Sequence, residues 1–432
     1  MVLFNRKTFF FLGILLLTFD NFPFGRYGLG NNHCLSFYPM ILYILLNIKY
    51  VFRALQSADK CEIVMILGLL GMSLWSGMFR FYDLEQFGHA VNMWISYFIA
   101  LFSFRIFIFT ANRKDVFLMF KLINVSFTIS LMFGLLEFVF FYVVHLEFIK
   151  SFLCLFLRDD VFFDVMRIQF NFQEAGTTGF MLLCLYLPSL ITYCKMGHKL
   201  NKMDRIKLIG FIFLSLFSFS NTFFLTSFAL LIFYVLNKLS VRKNIKNIIL
   251  ICLILLSCLP FIVSQLKTYN NGRLYDTITS PLETMQREGS FGTRGGLWVV
   301  SLDAAKDYPL TGYGWGYFSY ALKNHLGSIV TISSEELFDK VFVKNQDTYS
   351  LYTTALVEGG ILGVIWLIFL VCKRYQCVRK SMRPFYFTYL FSLLQIIPIY
   401  VPCYMYILYL MSDRKINAFL ADTKNNSSLI IQ

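Results

Sequence analysis

The residue that most suggests chemistry is an arginine set among glycines. In Gly292-Thr293-Arg294-Gly295-Gly296-Leu297-Trp298, Thr293 is of a type that caps helices, and Trp298, Leu302 and Ala305 then recur on one face until Pro309. A helix N-terminus beside a guanidinium suits a diphosphate, because backbone N–H groups and a bidentate fork both favour that anion. A solvated surface arginine is the alternative. Arg158, Arg167, Arg273 and Arg287 lie in the same long segment or an earlier one. Singly each reads as a surface or headgroup charge, and together they outline a basic mouth. Two carboxylates are placed to orient or deprotonate a hydroxyl: Glu174, after Gln169 and Gln173, and Asp347, each at the start of an apolar run. Acids at helix starts also complement the dipole, so capping is the competing explanation.

Downstream, Gly312-Tyr313-Gly314-Trp315-Gly316 predicts a tight turn before a second helix on which Phe318, Ala321, Leu322 and His325 share a face. This spacing has no preceding strand and no GK[ST], which argues against dinucleotide or P-loop binding. His325 reads as a packing residue or as an imidazole available to a substrate. Glu358, followed by Gly359-Gly360, sits a third of the way into an apolar run and invites pairing with an arginine. Glu137 and Arg105 invite structural pairing too. Asp83-Leu84-Glu85 places two carboxylates on a short connection. No cysteine or histidine spacing suggests zinc, and no cofactor is expected.

The elements that must position these residues are set by composition. The chain is 57% hydrophobic and 19% aromatic, with only 15% charged residues, and contains 50 phenylalanines. A soluble domain carries about a quarter charged residues, so an ordinary soluble enzyme is excluded. The expected fold is an all-α polytopic membrane protein whose backbone groups are satisfied within each helix. Apolar runs at 8–22, 38–53, 61–79, 88–110, 116–145, 174–194, 206–220, 222–237, 247–265, 348–371, 384–397 and 399–411 predict about 12 transmembrane helices. The organisation expected is helices one to nine over 1–265, a large, partly helical outer loop over 266–347, and three more helices with a tail over 348–432.

The net charge of +14 invites a nucleic-acid partner, and the positions of the charges argue against one. Lysine and arginine cluster at 195–207, 238–246 and 373–383 with few acids, whereas 266–347 holds eight basic residues against nine acids. That alternation is the positive-inside pattern, with both termini inside. The bilayer, not a nucleic acid, is the expected partner.

These motifs resemble the O-antigen polymerase and ligase family. Thr293-Arg294, Trp298, Pro309-Leu310 and Gly312-Tyr313-Gly314 are similar to that family's run in the large outer loop, and Glu358-Gly359-Gly360 through Gly363 to the Glu-x-Gly-x-x-Gly of the next span. Arg167 with Glu174 resembles an earlier Arg and Glu-Pro-Ser region, with Ala175-Gly176 in place of Pro-Ser. The segment Ser218 to Ser227 resembles one where relatives carry Ser-Arg, and this chain has Asn221-Thr222. Ligases of this layout place His-Asn before the Glu-Gly span, where this chain reads Asn345-Gln346-Asp347-Thr348-Tyr349.

The resemblance implies a GT-C-like glycosyltransferase in the bacterial inner membrane, working at the periplasmic face on undecaprenyl-diphosphate-linked glycans. A chain-length regulator and a flippase are implied neighbours. Without that histidine, the polymerase branch is favoured over the ligase, with Asp347 or Glu174 as base and Arg294 stabilising the leaving diphosphate. Arg167, Arg158, Arg273 and Arg287 are the expected substrate cations, Tyr313 and Trp298 the expected sugar platforms, and His325 the remaining imidazole. The rival from another class is a flippase for the same lipid-linked sugars, which would show internal repeats; none is discernible.

Overall fold

A computed structural model of the chain describes residues 6–20, 22–23, 34–56, 60–157, 166–172, 175–218, 220–238, 289–325, 350–394 and 402–428. The regular elements among them are helical. Helices α1 (Thr8–Leu15), α2 (Phe37–Leu46), α3 (Val51–Gln56) and α4 (Lys60–Trp75, extended by a widened turn Ser76–Phe81) lead to α5 (Leu84–Thr110) and α6 (Arg113–Tyr142). Then follow α7 (Glu147–Phe156), α8 (Ala175–Lys195), α9 (Lys202–Leu216) and α10 (Asn221–Lys238). The remainder comprises α11 (Gly289–Ala304), α12 (Phe318–His325), α13 (Leu351–Cys377), α14 (Arg383–Ser392), α15 (Pro402–Ser412) and α16 (Arg414–Ser428).

Among the described residues, four helices are long and apolar enough to cross a membrane: Glu85–Thr110, Arg113–Tyr142, Ala175–Lys195 and Leu351–Cys377. They coincide with expected spans 88–110, 116–145, 174–194 and 348–371. Shorter helices occupy the other expected spans, except 247–265, which lies outside the described residues. The outward faces confirm the solvent. On α13, Ile361, Ile365 and Ile368 form a stripe with each side chain about half exposed, and on α9 Ile209, Ile212, Phe213 and Leu216 do the same. A water-facing protein rarely leaves such stripes open, whereas lipid solvates them. The described residues are predominantly helical, with four candidate membrane spans, as an all-α membrane protein requires.

Local sequence explains where the long helices begin. Asn112 accepts from the Asp115 amide while the Asp115 carboxylate accepts from the Asn112 amide, a reciprocal cap that starts α6. Asn201 and Asp204 do the same for α9. Asp83 caps α5 by accepting from the Gln86 amide, which explains that acid without a metal.

Helix association in lipid rests on packing and polar links rather than on a hydrophobic gain. Here aromatic rings do much of the packing. Phe10 stacks on Phe107 at 4.0 Å, Phe127 on Tyr186 at 4.7 Å, and Phe104 on Tyr409 at 5.2 Å, joining α1, α5, α6, α8 and α15. A polar cluster ties α6 to α9: Lys207 pairs with Asp204 at 3.0 Å and donates to Asn124 at 2.9 Å, while Asn124 donates to Asp204 at 3.1 Å. His198 completes it, 2.8 Å from Asp204 and stacked on Tyr193.

At the other end of α6, the segment 166–172 folds into the bundle. Buried Glu137 accepts from the amides of Gln169 (3.0 Å) and Phe170 (2.8 Å), and Asn171 donates to Thr18. The expected structural partner of Glu137 was a side chain. The structure supplies two backbone amides instead, both donating to the same carboxyl oxygen.

Candidate active site

The turn 308–317 is a hub at the end of α4 and the start of α5. It is held on one side by a break in α13. Gly360 lies at φ 57° and ψ −151°, outside helical geometry, so the carbonyls and amides around it turn sideways. Tyr313 and Gly314 donate their amides to the carbonyls of Val357 and Glu358 at 2.8 and 2.9 Å. In return, Ile361 and Leu362 donate to the carbonyls of Pro309 and Leu310. The two backbones touch so closely that a Cβ at Gly360 would sit 2.6 Å from the Leu310 carbonyl carbon. Gly312, at φ 66°, faces the Glu358 backbone across the same contact. Glycine at both positions satisfies the conformation and the approach together.

Side chains close the other sides. Arg80, at the widened end of α4, donates to the Gly312 carbonyl at 2.9 Å and lies over the Tyr308 ring at 4.3 Å. Ser73 donates to the Trp315 carbonyl, and Gln86 to that of Gly316. The Glu358 carboxylate accepts from the Phe318 amide at 3.1 Å, which starts α12. An acid at a helix N-terminus satisfies an orphan amide and complements the dipole. The turn thereby binds α4, α5, α12 and α13 to one another.

Helices α11 and α12 are joined by a second cluster. His325 sits between two carboxylates, with Nδ1 3.0 Å from Asp303 and Nε2 2.7 Å from Asp307. Tyr313 donates its hydroxyl to Asp307. Burial alone would lower the His325 pKa, but the hydrogen bonds and charges of Asp307 and Asp303 outweigh it and raise the value. Asp307 is held below the usual carboxylate range, above all by the Tyr313 hydroxyl, with His325 helping to offset the opposing effect of burial. Burial and Asp307 push the Tyr313 phenol well up. The cluster thus sets the imidazole between two carboxylates that favour its protonated form, and the Asp307 side chain remains 42% exposed.

Beside this cluster an apolar cavity of about 380 Å³ lies between α11 and α13. Trp298 and Leu302 line it from α11, and α13 lines it from Tyr352 to Cys372. The eight α13 residues that line it are spread over about 30 Å of helix, the thickness of a hydrocarbon core.

The sequence candidates fall unevenly on this geometry. Trp298 is half-buried and lines the apolar cavity. Tyr313 is 2% exposed, with its ring stacked on Phe81 at 5.5 Å, so its place in the site is to build the turn and hold Asp307. His325 ends α12 within the carboxylate cluster. Arg167 is half-buried beside the segment anchored by Glu137. Arg294 is described only as part of the α11 backbone, and α11 begins at Gly289, not after Thr293. The expected cap at Thr293 is therefore replaced by helix: contact of α11 with α12 and α13 overrides the weak helical propensity of its glycines. Arg294 stands in the second turn, where the N-terminal dipole has largely faded. Asp347, Glu174, Arg158, Arg273 and Arg287 lie outside the described residues.

Arg80, Asp303 and Asp307 were not singled out from sequence. The last two had a legible signal, since i and i+4 acids share a helical face when the helix continues one turn. Arg80 had none, because its partner carbonyl is 232 residues away.

Residues 206–370, from α9 to α13, match the family model described as O-Antigen ligase. That match places this stretch in the O-antigen polymerase and ligase family, whose members are glycosyltransferase-like enzymes. No curated protein matches the chain.

Proposed function

We propose that the chain is an O-antigen polymerase that joins undecaprenyl-diphosphate-linked oligosaccharide repeat units by inverting glycosyl transfer. The observation that carries this reading is the apolar groove along α13, which runs from the middle of α11, one turn past Arg294, and lies beside the His325 cluster. A polyprenyl chain suits such a groove, and its diphosphate and sugars suit the charged end. In this reading the chain has twelve spans in a GT-C-like arrangement, and 266–347 is a periplasmic loop at the bacterial inner membrane.

The chemistry follows from the leaving group. A hydroxyl oxygen of the acceptor sugar attacks the anomeric carbon of the donor glycan from the face opposite the diphosphate. The glycosidic C–O bond forms as the C–O bond to diphosphate breaks, and the hydroxyl proton passes to a carboxylate. Arg294 gives the departing diphosphate two parallel hydrogen bonds as its charge grows. Arg158, Arg167, Arg273 and Arg287 gather the anionic substrates, with Trp298 at the mouth of the groove. Glu174 and Asp347 remain the proposed bases, and Asp307, ionised and accessible, is a further carboxylate within reach of a sugar.

A second reading, ligase transfer of finished glycan to lipid A core, is favoured by the matched family's own description. The missing histidine in Asn345-Gln346-Asp347-Thr348-Tyr349 favours the polymerase. Glycan profiling of a deletion strain separates the two. A single repeat on the lipid core is expected for a lost polymerase, whereas polymer left on its carrier would identify a ligase. Loss of unit translocation would sink both and identify a flippase. Within the polymerase reading, Arg294→Ala is expected to abolish polymer, and Arg294→Lys to fail similarly because an ammonium cannot make the bidentate contact. Full-length polymer from both variants would remove Arg294 from the mechanism.

A further inference from the structure

At the end of the bundle opposite the turn, several sunken cations among the described residues have a counter-charge or carbonyl partner, and two stand out for lacking one. Lys7 pairs with Asp115 at 2.6 Å, and Lys207 with Asp204 at 3.0 Å. Lys415 donates to the carbonyls of Ile108 and Phe109 at the C-terminus of α5, where a cation complements the dipole. Arg379 and Arg383, which flank the connection from α13 to α14, have no such match. Both are half-buried, and the Nε of each is closed off from solvent without a hydrogen-bond partner. Arg379 reaches only the Thr192 hydroxyl, at 3.4 Å, and Arg383 lies over the Tyr375 ring at 5.1 Å. No carboxylate among the described residues pairs with either.

The surroundings of these two arginines are built rather than loose. Lys195, one turn beyond Thr192 on α8, donates to Ser381 at 2.6 Å, and Asn237 of α10 donates to the Lys380 carbonyl at 3.0 Å. The ends of α8 and α10 therefore pin the connection in place, with four basic side chains (Lys195, Arg379, Lys380 and Arg383) around it. Burial lowers the Arg379 pKa, a sign that its charge lacks local compensation. A partly desolvated guanidinium without a counter-charge is costly, and an anion that supplies one removes the cost. The connection directly follows the 27-residue helix α13, so it lies at the depth of lipid headgroups.

We propose that Arg379 and Arg383, flanked by Lys195 and Lys380, form a binding site for the phosphate of an acidic phospholipid headgroup in the leaflet at this face. A basic recess between helix ends at the membrane surface is the geometry that selects such lipids, and guanidinium forks match phosphate oxygens. The site is separate from the glycan-transfer end and does not depend on the function proposed for it.

The test uses the full chain purified in detergent, with bound lipid counted by native mass spectrometry as phosphatidylglycerol or phosphatidylcholine is added. Phosphatidylglycerol is expected to bind in preference to phosphatidylcholine. The pair Arg379→Gln, Arg383→Gln is expected to weaken it about thirtyfold, roughly fivefold per guanidinium. Arg205→Gln, which removes an exposed charge at the same end, is expected to change it little. Equal binding of both lipids, or undiminished phosphatidylglycerol binding in the glutamine pair, overturns the proposal. So does inorganic phosphate binding to the same two arginines without lipid, which would assign them to a soluble anion. Should the glutamine pair fail to fold, lipid preference in the unsubstituted protein still decides the matter.

Discussion

Two charged clusters lie near opposite ends of the helices and handle their charge differently. Around Asp204, each polar group finds its partner inside the protein: the carboxylate is 2% exposed and meets Lys207, His198, Asn124 and its own helix cap. Around His325, the Asp303 and Asp307 carboxylates, at the end of α11 and in the turn after it, are 33% and 42% exposed. The first cluster closes a seam between α6 and α9. The second holds charge at a surface where a polar ligand can reach it. Internal completeness marks a structural device, and partial exposure leaves the second cluster open to a ligand.

Breaking the closed cluster should cost the most. Lys207→Met leaves the Asp204 carboxylate buried with its main cation gone, and is expected to lower stability by about 3 kcal/mol. Thermal unfolding in detergent would show it, and a variant as stable as the parent would mean that His198 and Asn124 suffice. Next comes the scaffold of the open cluster. Gly360→Ala forces a side chain into a left-handed conformation against the Leu310 backbone, at about 1–3 kcal/mol, and should detach the turn from α13. Polymer formation is expected to fall more than the unfolding temperature does; an active variant would show that the turn need not be clasped.

The smallest effect concerns protonation. His325 has a raised pKa in the folded protein, so the stability it contributes is complete below the ordinary histidine value and is lost as pH climbs through the raised one. Asp307 has a lowered pKa, so its share is present above the ordinary carboxylate range and is lost as pH falls through the lowered value. The link between α11 and α12 is therefore firmest at mildly acidic pH, between the ordinary carboxylate and histidine values. The stability difference between the parent and His325→Gln should shrink as pH rises into the alkaline range. A difference that stays constant would show that His325 is neutral in the fold.

Much of the helical layout was legible from periodicity. The runs 88–110, 116–145 and 348–371 all became long helices, and Phe318, Ala321 and Leu322 are buried on the short helix expected for them. Asn112 and Asn201 are caps that a reader could find, because a capping box is written within four residues. The start of α11 was misplaced since Gly-Thr-Arg-Gly-Gly carries local stop signals that tertiary contact overrides. The roles of Glu137 and Glu358 were open for a similar reason: an acid in an apolar run announces a need for partners without naming them.

What the chain determined by itself was local. Hydropathy over about twenty residues set which segments enter lipid, the distribution of lysine and arginine suggested their orientation, and glycine and asparagine marked turns and caps. Only the tertiary structure decided that Gly312 meets Glu358, that Arg80 reaches the Gly312 carbonyl, and that Arg379 and Arg383 share a recess with α8 and α10. These are pairings of groups far apart in sequence, and their energies come from backbone hydrogen bonds and desolvated charges whose partners a one-dimensional pattern does not specify.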